Sequence, residues 1–125
     1  MLRYDPLKAP DPEKWLEATE AERIKNVENY HKRSNIAEPK LKLHAIAHAA
    51  VETQLAHQLP DVTAAMTRLL AQGMDRHEIL HAIGHVLMAM HFDIKNRVIE
   101  DADEEEYFRR LGRLTAKKWL NKEEI

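Results

Sequence analysis

The chain has 125 residues, no cysteine and nearly balanced charge, with 19 basic and 21 acidic residues. This length predicts one domain with a substantial core. The lack of cysteine excludes disulfide bonds and thiolate metal sites, and the balanced charge disfavours binding to nucleic acid. The uncharged run 79–92 is too short to span a bilayer, and residues 1–15 lack the apolar core of a signal peptide. We therefore expect a cytoplasmic protein with no membrane partner.

Capping residues, prolines and hydrophobic spacing divide the chain into predicted helices. Residues 1–12 hold three of the five prolines and are expected to form an extended N-terminal arm. Asp11 followed by Pro12 predicts a helix start, and Asp75 with Glu78 predicts a capping box. The predicted helices span 12–34, 40–59, 62–72, 75–93 and 103–121. No stretch alternates with period two, so the sequence predicts a single all-α domain, a compact bundle of four to five helices with no strands.

The predicted helix 75–93 carries a stripe of histidines and has no charged residue between positions 79 and 92. His77, His81 and His85 are spaced by four, so each lies about 40° further round the helix than the last. The aliphatic side chains form a separate stripe on roughly the opposite side. Such a helix is expected to be buried on both sides, and buried imidazoles need hydrogen bonds, carboxylates or a metal ion as partners.

A second group lies in the predicted helix 40–59, where His44, His48 and Glu52 are also spaced by four. This is the spacing at which two imidazoles of one helix can share a metal ion. Histidine and carboxylate donors suit divalent zinc, iron, nickel or manganese, and the sequence does not distinguish among these metals.

The rise of the helices predicts that the two groups meet. At about 1.5 Å per residue, helix 75–93 begins at a height that places His77 near His48. On the same estimate His81 lies near Glu52. We therefore predict a divalent-metal site between the two helices. Its candidate ligands are His44, His48, Glu52, His77, His81 and His85.

A buried hydrogen-bond network without a metal ion is the alternative for the same residues. In that network Arg76 or Arg68 would pair with the Glu52 carboxylate. The remaining histidines are predicted to be surface or capping residues: His31, His57 and His91.

Residues 77–81 match the HExxH motif of zinc metallopeptidases, with Glu78 as the candidate catalytic base. His85 comes too early for the third ligand of the metzincin pattern, and no strand is predicted that would hold a peptide. Glu78 also has a structural interpretation as a capping-box residue. The pattern Glu-x-x-His at 28–31 and 78–81 is similar to that of ferritin-like di-iron proteins. The chain is also similar to hemerythrin in length, without matching its set of histidines.

Segments 44–54 and 68–87 carry the pattern HAxxHxxVExQ followed by RLxxxGxxRHExxHAIGxVL. This pattern resembles a family of small all-helical bacterial proteins, and the resemblance covers most of residues 15–90. The residues of this chain that match the family's pattern are His44, His48, Glu52, His77, Glu78 and His81. A small residue stands in that family where this chain has His85. The resemblance implies that these residues act as a unit, and it implies no particular reaction.

Two classes of function remain open. In the first, the ion lowers the pKa of bound water for metal-assisted hydrolysis of an unknown small-molecule substrate, and Glu78 or Glu52 takes the proton. In the second, the chain is a non-enzymatic helical interaction or structural protein with a buried His/Glu network. Its aromatic last helix, 103–121, would then mediate formation of a homo-oligomer. Metal content distinguishes the two classes.

Overall fold

The computed structural model describes residues 4–33, 41–95 and 104–121. Within these ranges the chain forms seven α-helices and no strand, which confirms the predicted all-α fold. The helices are α1 (Pro12–Glu17), α2 (Glu20–Arg33), α3 (Leu41–Ala56), α4 (Pro60–Ala71), α5 (Arg76–Lys95), α6 (Glu104–Arg113) and α7 (Ala116–Leu120). None of these helices is long and apolar enough to cross a membrane.

The first predicted helix, 12–34, is wrong as a continuous element, because the chain breaks between α1 and α2. Ala18 is extended, and Thr19 forms a capping box with Glu22. The Glu22 amide donates to Thr19 Oγ1 at 3.1 Å, and the Thr19 amide donates to Glu22 Oε1 at 3.3 Å. The Arg23 side chain donates to two carbonyl oxygens at the end of α1, which closes the corner. The signal Thr-x-x-Glu is present in the sequence and predicts this helix start.

The last predicted helix, 103–121, is likewise divided into α6 and α7. Thr115 has an extended backbone, and its hydroxyl caps α7 by accepting from the Lys118 amide at 3.1 Å. Arg68 of α4 donates to the carbonyl oxygens of Leu111 and Leu114 at 2.8 and 3.1 Å. The Leu111 carbonyl also accepts from the Leu114 amide at 3.1 Å, so Arg68 adds a second donor there and supplies one for the Leu114 carbonyl just beyond α6. The Arg68 side chain therefore holds the turn between α6 and α7 against α4.

Helices α3 and α5 form the centre of the bundle. Helices α1 and α2 pack on one side of α3, while α4 and α6 pack against α5. The larger apolar core lies on the α5 side and the smaller one on the α1 and α2 side. Tyr4, from the segment predicted to be an extended arm, belongs to the smaller core, where its ring centroid lies 5.6 Å from that of Trp15. The N-terminal segment is therefore part of the packed structure.

Small residues let α3 and α5 approach closely at the level of the histidines. Ala47 of α3 is buried, and it faces Gly84 of α5. A Cβ atom built on Gly84 would lie 3.6 Å from the Ala47 Cβ atom, which is ordinary van der Waals contact. Because neither position carries a larger side chain, the imidazoles on the two helices can come together.

We expect Gly84→Ala to raise the free energy of unfolding by about 0.5–1 kcal/mol. Glycine in a helix interior costs about that much relative to alanine, and the added methyl group has room. Urea unfolding measures the change. Gly73→Ala is the matched control: Gly73 has φ +93°, so its replacement is expected to destabilise the protein. A loss of stability in the Gly84 variant would contradict the packing described for α3 and α5.

Candidate metal centre

Four histidine side chains meet where α2, α3 and α5 pack together. Each offers one ring nitrogen, and these nitrogens all lie within 4.8 Å of one another, so the group can hold a metal ion. Two of the side chains are buried and two are half-buried. We name this group the histidine cluster; it consists of His31 from α2, His44 and His48 from α3, and His81 from α5.

The structure brings half of the predicted ligands into the histidine cluster. These are His44, His48 and His81. The other candidates, Glu52, His77 and His85, lie outside it. The ring centroid of His48 lies 5.4 Å from that of His77, as expected from the predicted heights of the helices. His81, which the same estimate places near Glu52, has its ring centroid 4.6 Å from that of His44 and 5.8 Å from that of His48.

The predicted surface position of His31 is wrong, because α2 packs against α3 and leaves this side chain 0% exposed. His31 Nδ1–H donates to the Val27 carbonyl oxygen at 2.8 Å, which leaves the lone pair on Nε2. His44 Nε2–H donates to this lone pair, with the two nitrogens 3.0 Å apart. Two imidazole nitrogens on one tetrahedral ion lie about 3.3 Å apart. Ile24, Val27 and His31 share helical spacing, so the sequence does carry a signal for this buried side.

A hydrogen-bond chain fixes the tautomer of His48. The single hydroxyl proton of Tyr4 is donated to the Glu52 carboxylate, so the hydroxyl oxygen accepts the Nε2–H of His48 at 2.6 Å. The lone pair of His48 is therefore on Nδ1. Nδ1 is buried and has no hydrogen-bond partner among the residues that the structure describes. An imidazole oriented through one nitrogen with a lone pair on the other is typical of metal ligands.

Glu52 lies behind His48 and outside the histidine cluster. Its side chain is 1% exposed, and Arg76 donates to both of its oxygens, from Nη2 at 2.6 Å and from Nη1 at 2.8 Å. Arg76 Nη1 also donates to the Pro6 carbonyl oxygen at 2.9 Å. The predicted pairing of Arg76 with this carboxylate is confirmed. Since its oxygens are engaged by Arg76 and Tyr4, Glu52 contacts the cluster only indirectly, through Tyr4 and then His48.

Glu78, the candidate catalytic base, lies beside His81. Its Oε1 accepts a hydrogen bond from Trp119 Nε1 at 2.6 Å, and its Oε2 lies 3.8 Å from His81 Nδ1. Its amide donates to Asp75 Oδ1 at 2.8 Å, which confirms the predicted cap by Asp75. His81 Nε2 is buried and has no hydrogen-bond partner in the described part of the chain. The carboxylate of Glu78 therefore lies on the Nδ1 side of the ring and leaves Nε2 for the cluster.

The two remaining histidines of the α5 stripe have different surroundings. The ring of His77 lies 4.3 Å from that of His81 and 5.5 Å from that of Tyr30. The Nε2 atom of His77 is also buried and has no hydrogen-bond partner among residues 4–33, 41–95 and 104–121. His85 is exposed and contacts Trp119, with ring centroids 5.6 Å apart. Side chains four residues apart differ in direction by about 40° around the helix. At His85 the stripe therefore no longer points at the cluster.

Burial favours the neutral form of the imidazoles of His48, His77 and His81. Desolvation is the largest cause that lowers the pKa of His48, and neighbouring imidazoles lower it further. Desolvation and the rings of His77 and His44 lower the pKa of His81 to about 3. Desolvation also lowers the pKa of His77, against the opposing influence of nearby Asp75. A neutral imidazole is the form that binds metal ions.

We expect the metal-free protein to lose stability as the pH falls below about 6.5. The unfolded histidines take up protons near that pH, whereas folded His81 does so only near 3. Between these values the unfolded chain binds more protons, so acidification favours unfolding. Urea unfolding of chelator-treated protein from about pH 7.5 to about pH 5 measures the change. His81→Gln should flatten this dependence and His57→Gln, at an exposed position, should not; stability that rises towards acid would contradict the expectation.

A cleft of about 380 Å³ leads to the histidine cluster. His44, His48 and His81 line it, while His31 lies behind them and does not. The remaining lining side chains come mainly from α3, α5 and α7, and most of their surface is apolar. A small molecule can therefore reach three of the four cluster residues from one side.

The site joins a set of nitrogen donors to an opening for small molecules. Such a set can hold a divalent transition-metal ion, and the cleft would give the ion access to a further ligand. Comparison of the chain with protein-family models, with curated proteins and with solved structures finds no match.

Proposed function

We propose that this chain is a metalloprotein whose histidine cluster binds one divalent transition-metal ion. The observation that carries the proposal is the convergence of four ring nitrogens within 4.8 Å. The hydrogen bonds of His31 and His48 leave a lone pair on the nitrogen that each can offer. Imidazole donors without carboxylate suit zinc, iron or nickel better than manganese.

The alternative, a buried hydrogen-bond network without metal, accounts for only part of the site. It explains the chain from Arg76 through Glu52 and Tyr4 to His48, and the hydrogen bond between His44 and His31. It leaves three buried ring nitrogens without partners within the described residues, on His48, His77 and His81. An unpaired buried polar group costs about 1–3 kcal/mol. His48 and His81 belong to the histidine cluster, so an ion there would pair two of these nitrogens, which favours an ion over an inert network.

Residues outside the cluster set the orientation of its ligands. Tyr4 receives the Nε2–H of His48, and the carboxylate of Glu52 holds the tyrosine in place. Glu78 lies on the Nδ1 side of His81 and is itself held by Trp119. This arrangement favours a positioning role for Glu78 over the role of a general base.

We expect Tyr4→Phe to lower the affinity for zinc by about 10- to 100-fold. Loss of a partner that orients a ligand typically costs that much, and this substitution leaves His48 without its hydroxyl acceptor. Equilibrium dialysis with zinc measures the change. Tyr107→Phe is the matched control, because this buried tyrosine donates to Gln54 Oε1 at 2.6 Å, away from the cluster. Equal affinities in the two variants would contradict the role of Tyr4.

Metal-assisted hydrolysis is the reaction that we propose for the site. An ion held by three of the four imidazoles would keep one position open, and there it would supply a polarised water molecule as nucleophile. The cleft that reaches three of the cluster histidines supports access of a substrate to this position. Membership of the small bacterial family, a cytoplasmic location and formation of a homo-oligomer stay predictions.

Metal uptake by the purified, tag-free chain tests the proposal. Metal-stripped protein is dialysed separately against zinc, iron, nickel and manganese, and its metal content is measured by mass spectrometry. We expect about one ion of zinc, iron or nickel per chain. The control His57→Ala/His91→Ala removes two exposed histidines and should bind equally. A wild-type chain that retains no ion, or uptake that disappears in the control, would overturn the proposal.

A further inference from the structure

The cleft above the histidine cluster has an apolar wall and a polar floor. Leu43, Leu80, Met88 and Trp119 supply most of the wall, and the imidazoles supply the polar atoms. Leu43 is 46% exposed, so it lies at the mouth. Ligand sites with this composition usually bury an apolar body and orient it through a few polar contacts.

No lysine, arginine, aspartate or glutamate of the described residues lines the cleft. Among the described residues, a carboxylate or phosphate inside it would find no opposite side-chain charge away from the cluster, and an unpaired ion in an apolar site is strongly disfavoured. The same holds for an ammonium group. The lining therefore favours an uncharged body for the part of the ligand that does not reach the ion.

The volume and the small residues at the base limit the size of the ligand. About 380 Å³ lies at the lower end of the range for small-molecule sites. Gly84 and Ala47 both line the cleft, and their small side chains keep the path to the imidazoles open. The space suits a molecule of about one ring with one polar group.

We propose that the cleft binds a small neutral molecule whose apolar body lies against Leu43, Met88 and Trp119 and whose single donor atom reaches an ion in the histidine cluster. This inference rests on the proposed metal site and adds the class of its ligand. It requires affinity to rise with apolar area and to fall when the body carries a negative charge.

Three probes with the same donor atom separate these requirements. The cobalt-loaded protein is titrated with 1-methylimidazole, 1-benzylimidazole and 4-(imidazol-1-ylmethyl)benzoate, by calorimetry and by the visible absorption of cobalt. We expect 1-benzylimidazole to bind about tenfold more tightly than 1-methylimidazole, since burial of an aromatic ring is worth that much or more. We expect the benzoate to bind about tenfold more weakly than 1-benzylimidazole, because its carboxylate has no partner. The cobalt spectrum should change with each probe that binds.

Two leucine variants test whether the probes bind in this cleft. Leu43 and Leu70 are 46% and 47% exposed, but only Leu43 lines this cleft. Leu43→Ala should lower the affinity for 1-benzylimidazole about three- to tenfold and leave the affinity for 1-methylimidazole unchanged, because only the larger probe reaches the apolar wall. Leu70→Ala should change neither affinity.

The outcomes separate this inference from the metal site itself. A chain that takes up neither cobalt nor any of zinc, iron and nickel overturns both proposals. A chain that takes up cobalt but binds the three probes equally, or is unaffected by Leu43→Ala, overturns the ligand class alone. A cobalt spectrum that stays constant while 1-benzylimidazole binds also overturns it, because the donor atom then does not reach the ion.

Discussion

Replacement of Arg76 by methionine is expected to lower the free energy of unfolding by about 3–5 kcal/mol. This is the usual loss when one partner of a buried ion pair is removed and the other charge stays buried. Glu52 is 1% exposed, and Arg76 donates to both of its oxygens. The substitution also removes the hydrogen bond to the Pro6 carbonyl oxygen, which ties the N-terminal segment to α5.

Two further variants separate burial of the charge from loss of an arginine. Arg109 is 60% exposed and pairs with Glu106, so Arg109→Met should cost no more than about 1 kcal/mol. The double variant Arg76→Met/Glu52→Leu removes both buried charges and should recover much of the loss. Urea unfolding compares all of them. Equal losses in the Arg76 and Arg109 variants would contradict the buried pair.

Replacement of His48 and His81 by alanine is expected to lower zinc affinity by about 10³-fold or more, which is about 4 kcal/mol. The double variant removes two of the four donors in the histidine cluster. Partners that only orient a ligand contribute about 10- to 100-fold, so loss of the ligands themselves should exceed that. Competition with a chromogenic zinc chelator measures the change.

Folding of this double variant needs its own control, because His48 is buried. Circular dichroism reports helix content, and His81→Ala alone replaces a half-buried side chain at less cost to packing. The single variant should already weaken zinc binding. A folded double variant that binds zinc as tightly as the wild type would exclude these residues as ligands.

The sequence predicts the fold class and the two central helices because their signals are local. His44 and His48 on one helix and His77 and His81 on the other follow i,i+4 spacing, and the rise per residue predicts that the two groups meet, with His77 near His48. The helix breaks are also local in origin. Thr19 with Glu22 and the cap at Thr115 are short-range signals that helix periodicity alone does not reveal.

The rest of the site depends on packing between distant segments. His31 joins the cluster because α2 packs against α3, and local polarity around this residue does not predict that contact. Tyr4 is 44 positions from His48, and no periodic pattern links them. Glu52 has the spacing of a ligand, but Arg76 and Tyr4 engage its carboxylate. Whether a carboxylate faces an ion or an arginine is decided by neighbours from other helices.

Anomalous diffraction from crystals of the zinc-loaded chain tests the central claim most directly. Data collected on both sides of the zinc absorption edge locate the ion without assumption about its ligands. We expect one strong peak about 2.0–2.1 Å from ring nitrogens of the histidine cluster, including Nε2 of His31 and Nδ1 of His48. A peak at exposed His57, His85 or His91 instead, with none in the cluster, would contradict the account.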